Sequence, residues 1–431
     1  MFRIITLFFL IEGVLLSATV EHVEIGGLKV PLIFEKDSTL PVASMQLVFQ
    51  NSGSIADKKI PGIAAFSASL LGEGTKTLGA VGFAQKLEEN AIHLSSHAGT
   101  ETFVLELESL KEQFGKGVAL MADLLREPNY TKESFDKVRL LKLSRIEQKE
   151  NDFDYIASLN LKLLVYKDTP LGHPSIGTKE SLSKLTLGDV EKFIGSHVVL
   201  ERAIVVIGGD MTKDEAVAFA KKALTPLAKG EMEPLPFVRH REKPGQVTVR
   251  KDTKQAYIYF SSPYALRAED KERYKAKVAT FILGAGGFGS RMMEEIRVKR
   301  GLAYSAYCRA NINKSHSDMK GYLQTKLEKG EEAMALVKEV VHHFVEKGVT
   351  QEELEQAKKF ILGSEPLRNE LLSQRLSRTF MEYYQGLGIG YHERELKKIE
   401  TLTLKDLNAF IKAHDEIEKL SFSVVTNSPE K

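Results

Sequence analysis

A chain of 431 residues exceeds one ordinary hydrophobic core and implies two domains or more. With 43% hydrophobic and 27% charged residues it has the composition of a globular protein, and a net charge of +2 excludes strong electrostatic attraction to nucleic acid or anionic lipid. The single cysteine, Cys308, excludes an intrachain disulfide and reads as a packed small residue rather than a nucleophile.

Residues 1–18 hold one basic residue, an apolar run and a small-residue end at Ala18, the pattern of a secretory signal peptide and of export to a bacterial periplasm. Glu12 interrupts the run and Leu16 is not small, so a retained N-terminal membrane anchor is the alternative reading. The run is too short and broken for an ordinary membrane span, and no later segment is apolar enough for one.

From residue 19 to 227 the pattern predicts one domain. A strand at Met45–Gln50 precedes a helix of small residues, Gly62-Ile-Ala-Ala-Phe-Ser-Ala-Ser69. Strands follow around His93–Gly99 and at Thr102–Glu108, where Phe103-Val-Leu-Glu-Leu-Glu alternates. An amphipathic helix covers Lys111–Leu125, and a second long one runs from Thr131 to about Glu150. The segment 228–245, with Pro234, Pro236 and Pro244 among charges, is the natural linker.

Residues 246–431 repeat the order. A strand at Ala256–Phe260 precedes a helix at Lys271–Leu283, strands follow near Ala303–Ala310 and Lys320–Thr325, and helices occupy Gly330–Glu346 and the stretch from Gln351. Thr131-Lys-Glu-Ser and Thr350-Gln-Glu-Glu each place a threonine N-cap before a first turn with glutamate. The fold class expected is α+β: two related domains, each a mostly antiparallel sheet with helices packed on it, closing as a clamshell.

Three candidate sites fail on spacing. The glycine run Gly284-Ala-Gly-Gly-Phe-Gly289 follows a helical pattern rather than a strand, and no Gly-Lys-Ser/Thr comes after it, so it reads as an inter-helix turn and not a phosphate cradle. His93 and His97 lie on a predicted strand, where they would stand about 13 Å apart, too far to share one ion. His342 and His343 are adjacent on a helix and point in different directions, and no G-x-S-x-G elbow supports a serine hydrolase.

The segment Pro61–Thr75 and the segment Ile282–Ser305, ending Arg297-Val-Lys-Arg-Gly-Leu-Ala-Tyr-Ser305, are similar to the two signatures of the pitrilysin/insulinase peptidases, the inverted zincins. Leu171–Lys179 and Ala203–Asp210 are also family-like, so the resemblance covers nearly the whole chain after residue 18. Those enzymes carry H-x-x-E-H on the first helix: two histidines one turn apart hold zinc, and the glutamate is the general base. Here the three positions read Ala65, Ala68 and Ser69. The family's later glutamate ligand, in a segment resembling V-L-x-E-I, falls on Arg145 in Leu143–Glu147. Glu147 is two residues off register, a rotation of about 200° on a helix.

What the resemblance implies follows from those losses. This chain binds no cofactor of its own, and zinc is expected in a partner: a homologous peptidase subunit that keeps H-x-x-E-H. The family's substrate-side pair falls on Arg297 and Tyr304. The expected role is that of the non-zinc, substrate-positioning subunit of a hetero-oligomeric processing peptidase, acting on an extended peptide. A structural or peptide-binding protein of the same fold, as in respiratory-complex core subunits, is the alternative.

Overall fold

The computed structural model describes residues 18–427. The signal-peptide expectation therefore falls, apart from Ala18, outside the described residues. Among the described residues no helix is long and apolar enough to cross a membrane.

Strands β1 (Thr19–Ile25), β2 (Leu28–Lys36), β3 (Val42–Gln50), β4 (His93–Ala98), β5 (Thr102–Leu110) and β6 (Ala203–Gly209) form one sheet in the order β1-β2-β6-β3-β5-β4. Strands β7 (Gln246–Arg250), β8 (Gln255–Pro263), β9 (Ala303–Ile312), β10 (Ser317–Lys326) and β11 (Ser421–Thr426) form the other, β7-β11-β8-β10-β9. The β2–β6 and β7–β11 pairs are parallel, and every other pair is antiparallel. The second sheet thus repeats the first without β1, and the expected mixed fold of two related sheets with packed helices is what forms. The repeat extends to detail: β3 and β8 each have nine residues and the same succession of buried and open positions. The threonine caps form as read. The Thr131 side chain accepts from the Ser134 N–H, and Thr350 accepts from the Glu353 N–H in a full capping box.

Each sheet buries one face under its own helices. In the first, Met45, Leu47, Phe49, Phe103, Leu105 and Leu107 pack with Phe66, Phe114 and Val118 from helices Ile63–Leu71 and Lys111–Arg126. The second faces are covered by exchange. Helix Leu372–Tyr384, late in the chain, lays Leu376 and Tyr384 on Ile33, Val48 and Ile204 of the first sheet. Helix Phe153–Val165, from the first half, lies across β7, β8 and β11 of the second. Two halves that each complete the other's second face are held together by hydrophobic burial.

One element differs from its sequence reading. The helix expected at Lys271–Leu283 is regular over Arg273–Thr280 and then widens into a π-type turn at Phe281–Ala285. Gly284 there lies on β9: a Cβ on it would stand 2.5 Å from Cys308 Sγ and 2.6 Å from Cys308 N. Cys308 is fully buried, and burial pushes its thiol pKa up, which suits packing and not nucleophilic chemistry.

Candidate functional site

The degenerate helix is anchored from below. Gly62 takes φ +89°, and a Cβ on it would meet Gly177 Cα at 2.5 Å, so the chain crosses the Leu171–Lys179 loop at backbone distance. Asp57 accepts from the N–H groups of Gly62 (2.7 Å) and Ala64 (3.0 Å) and so caps the helix. Burial pushes the Asp57 carboxyl up to about 7, against those two bonds and the Lys162 ammonium.

Within Ile63–Leu71 every residue is buried except Ala65 and Ser69. These two, one turn apart, form the open face on which a ligand pair would sit. They offer a methyl group and a hydroxyl, and the Ser69 hydroxyl donates to the Ala65 carbonyl at 3.2 Å. Ala68 is buried against β4, its carbonyl accepting from Ser96 Oγ at 2.7 Å. Helix Lys132–Lys149 packs alongside through Phe66 and Phe135, whose ring centroids are 5.0 Å apart. It brings cations rather than carboxylates. Arg145 is exposed, and the Lys142 ammonium one turn before it is pulled down to about 8 by burial and by the Arg145 charge. Glu147 points to Lys179 at 3.7 Å. The residues that the sequence resemblance sets at zinc positions, Ala65, Ser69 and Arg145, do not fit a zinc ion, since a methyl, a hydroxyl and a guanidinium are not zinc ligands. Among the described residues no group of three or more His, Cys, Asp or Glu could hold a metal. His93 and His97 are both exposed on β4, and His342 Nδ1 lies 3.0 Å from Glu418 Oε2.

The other pair is brought together. The Arg297 guanidinium lies 4.4 Å from the centroid of the Tyr304 ring. A break in alternation makes this possible. The core side of β9 is set by Ala306 and Cys308, so strict alternation would turn Tyr304 inward. The register slips between Leu323 and Thr325 of β10, and Ala303 takes the buried position instead. The bulge sends Tyr304 out, where it is 81% exposed. Phe288, from the glycine run, also lies against the guanidinium, 4.7 Å from its ring centroid. Sequence reading missed Phe288; the available signal was one bulky aromatic inside a turn otherwise nearly bare of side chains. The cation thus contacts two rings, a contact worth about 0.5–1 kcal/mol per ring at exposed sites. Among the described residues the Tyr304 hydroxyl has no hydrogen-bond partner.

Residues 32–179 match the insulinase (peptidase family M16) model, and residues 184–361 match the peptidase M16 inactive-domain model. A protein of Helicobacter pylori described as the non-peptidase homolog YmxG is 43% identical over 95% of this chain and 95% of its own. The chain belongs to the insulinase (M16) peptidase family. The fold agrees with two solved structures. A peptidase M16 inactive domain from Pseudomonas fluorescens superposes with a TM-score of 0.87 at 22% identity, over 96% of this chain and 99% of that one. A protease from Helicobacter pylori superposes with a TM-score of 0.83 at 17% identity, over 95% and 99%.

Proposed function

We propose that this chain is the non-zinc subunit of a hetero-oligomeric zinc peptidase of the insulinase family, exported to the periplasm. A homologous partner supplies the metal, and this chain supplies Arg297 and Tyr304 and part of the wall that holds an extended peptide. One observation carries the reading. The helix face that would bind metal presents only Ala65 and Ser69, and the helix packed alongside carries Lys142 and Arg145, while Arg297 lies against the exposed Tyr304 ring. A protein that had lost all peptidase chemistry would have no use for a bulge that exposes a tyrosine against an arginine.

The chemistry asked of the pair is modest. Peptide hydrolysis gathers negative charge on the scissile carbonyl oxygen. The Tyr304 hydroxyl donates one hydrogen bond to that oxygen, and Arg297 donates to neighbouring substrate carbonyls. Removing one such donor costs about 3 kcal/mol of transition-state stabilisation, or on the order of a hundredfold in rate. The test is reconstitution. Peptidase activity is expected only when the chain is mixed with a zinc-bearing homologue from its own host. Tyr304→Phe keeps the ring against Arg297 and should lower kcat about a hundredfold with little change in KM. A mixture with fully active Tyr304→Phe would refute the assigned role.

A further inference from the structure

A cavity of about 540 Å³ lies between the two halves, walled by helix Phe153–Val165, strands β9 and β10, and helix Leu372–Tyr384. Three cations line it: Lys162, Arg309 and Lys320. Two carboxylates line it as well, but both are occupied by neutral donors. Asp318 accepts from the Tyr166 hydroxyl and from Asn311 Nδ2, each at 2.7 Å. Glu101 accepts from the Tyr384 hydroxyl at 2.8 Å and the Ser315 N–H at 2.7 Å. The cations are left over. Among the described residues none of the three forms a salt bridge. Lys320 donates only to Ser158 Oγ, at 2.8 Å, Arg309 only through Nε to Asn311, and the Lys162 ammonium meets no acceptor. Burial holds both lysines below the usual lysine range, against the raising effect of Asp57 on Lys162 and of Asp318 on Lys320, with the Lys320 charge adding to the lowering at Lys162 and the Arg309 charge at Lys320. Two part-buried lysines and an exposed arginine face one roomy cavity without a salt bridge, with Asp57 and Asp318 the carboxylates nearest the lysines, and a lining that holds three cations against two carboxylates suits an anion.

The direction of β9 says which anion. Past the bulge, Tyr304, Tyr307 and Arg309 lie on the same side of the strand, away from the buried Ala306 and Cys308. Five residues of strand separate Tyr304 from Arg309, about 17 Å. β9 is also the edge of its sheet. A peptide held at Tyr304 and extended along β9 reaches the cavity within about five of its own residues. We propose that the inter-domain cavity binds the C-terminal carboxylate of an extended peptide through Lys162, Arg309 and Lys320. The inference builds on the subunit reading only in taking the ligand to be a peptide.

The test uses the full chain alone, without a partner. Binding of an N-terminally labelled alanine- and leucine-containing decapeptide is followed by fluorescence anisotropy, once as the free acid and once as the C-terminal amide. The acid should bind at least about tenfold more tightly, as expected for charge-assisted bonds in a partly buried site. Arg309→Gln changes an exposed side chain and leaves folding intact, and Lys162→Met removes the unpartnered ammonium; each should reduce the acid preference severalfold. Equal binding of acid and amide, no binding of the acid, or a preference that survives both substitutions would overturn the assignment. An acid preference together with an inactive reconstituted mixture would sink the subunit reading and leave the pocket standing. A mixture that depends on Tyr304 but shows no acid preference would do the reverse.

Discussion

Arg375 is the residue through which the two halves can be loosened most cleanly. It sits on the exchanged helix and donates through Nε to Glu35 Oε1 at 2.5 Å and through Nη2 to Asp37 Oδ2 at 2.6 Å, both on or beside β2. Glu35 is only 3% exposed, and its second oxygen has no partner. Removing one member of a buried pair costs about 3–5 kcal/mol because a charge is left without compensation. Since the Arg375 side chain is 25% exposed, the lower end applies, about 3 kcal/mol. Arg375→Met keeps the aliphatic stem and removes the charge together with the Nη1 bonds to the Asn369 and Glu370 carbonyls. The loss must depend on pH. Burial already raises the Glu35 pKa against the lowering effect of Arg375, and without the arginine it rises further. A carboxyl whose folded pKa is raised contributes stability below its unfolded pKa and loses it as pH climbs through the folded value. Urea unfolding should therefore show Arg375→Met less destabilised near pH 4.5 than at pH 8, where the loss is about 3 kcal/mol, the lost bonds to Asp37 and to the Asn369 and Glu370 carbonyls accounting for what remains at pH 4.5. Adding Glu35→Gln should return most of the loss at pH 8. A deficit that is equal at both pH values, or untouched by Glu35→Gln, would refute the reasoning.

Two further outcomes follow from geometry. Gly284→Ala drives a methyl group into the Cys308 backbone and should cost several kcal/mol, of the order seen for overpacked cores, lowering the melting temperature by 5 °C or more on a scale of about 2–4 °C per kcal/mol; an unchanged melting temperature would show that the π-type turn does not press on β9. Ala65→His with Ser69→His restores two imidazoles on the open helix face but leaves Arg145 opposing the ion. Adding Arg145→Glu should tighten zinc binding by about tenfold or more in a chelator-competition titration, and no gain would mean that Arg145 is not at the third ligand position.

Much of the fold was legible because its signals are local. Alternation in Phe103–Glu108 gave β5, and the paired threonine caps at Thr131 and Thr350 exposed the internal repeat before any strand order was known. The strand reading of His93 and His97 held for the same reason. The helix exchange was not legible. Nothing in Leu372–Tyr384 distinguishes a helix that covers its own sheet from one that covers the sheet of the first half, since amphipathicity names a buried face and not its partner. Of the candidate site, the sequence names the residues expected at each position, Ala65, Ala68, Ser69, Arg145, Arg297 and Tyr304, but not how they sit in space. Alternation along Ala303–Ala310 points Tyr304 into the core, and only the slip against β10 turns it outward. Phe288 escaped because its stacking on Arg297 is a contact between a turn and a helix end.

The open face of helix Ile63–Leu71 carries a methyl from Ala65 and a hydroxyl from Ser69, neither of them a zinc ligand. Equilibrium dialysis of the purified chain against zinc, followed by elemental quantification, addresses this directly. The predicted result is far less than one zinc per chain, with stoichiometric metal appearing only in a complex with an H-x-x-E-H partner. One tightly held zinc per isolated chain, lost on substitution of its own side chains, would contradict it.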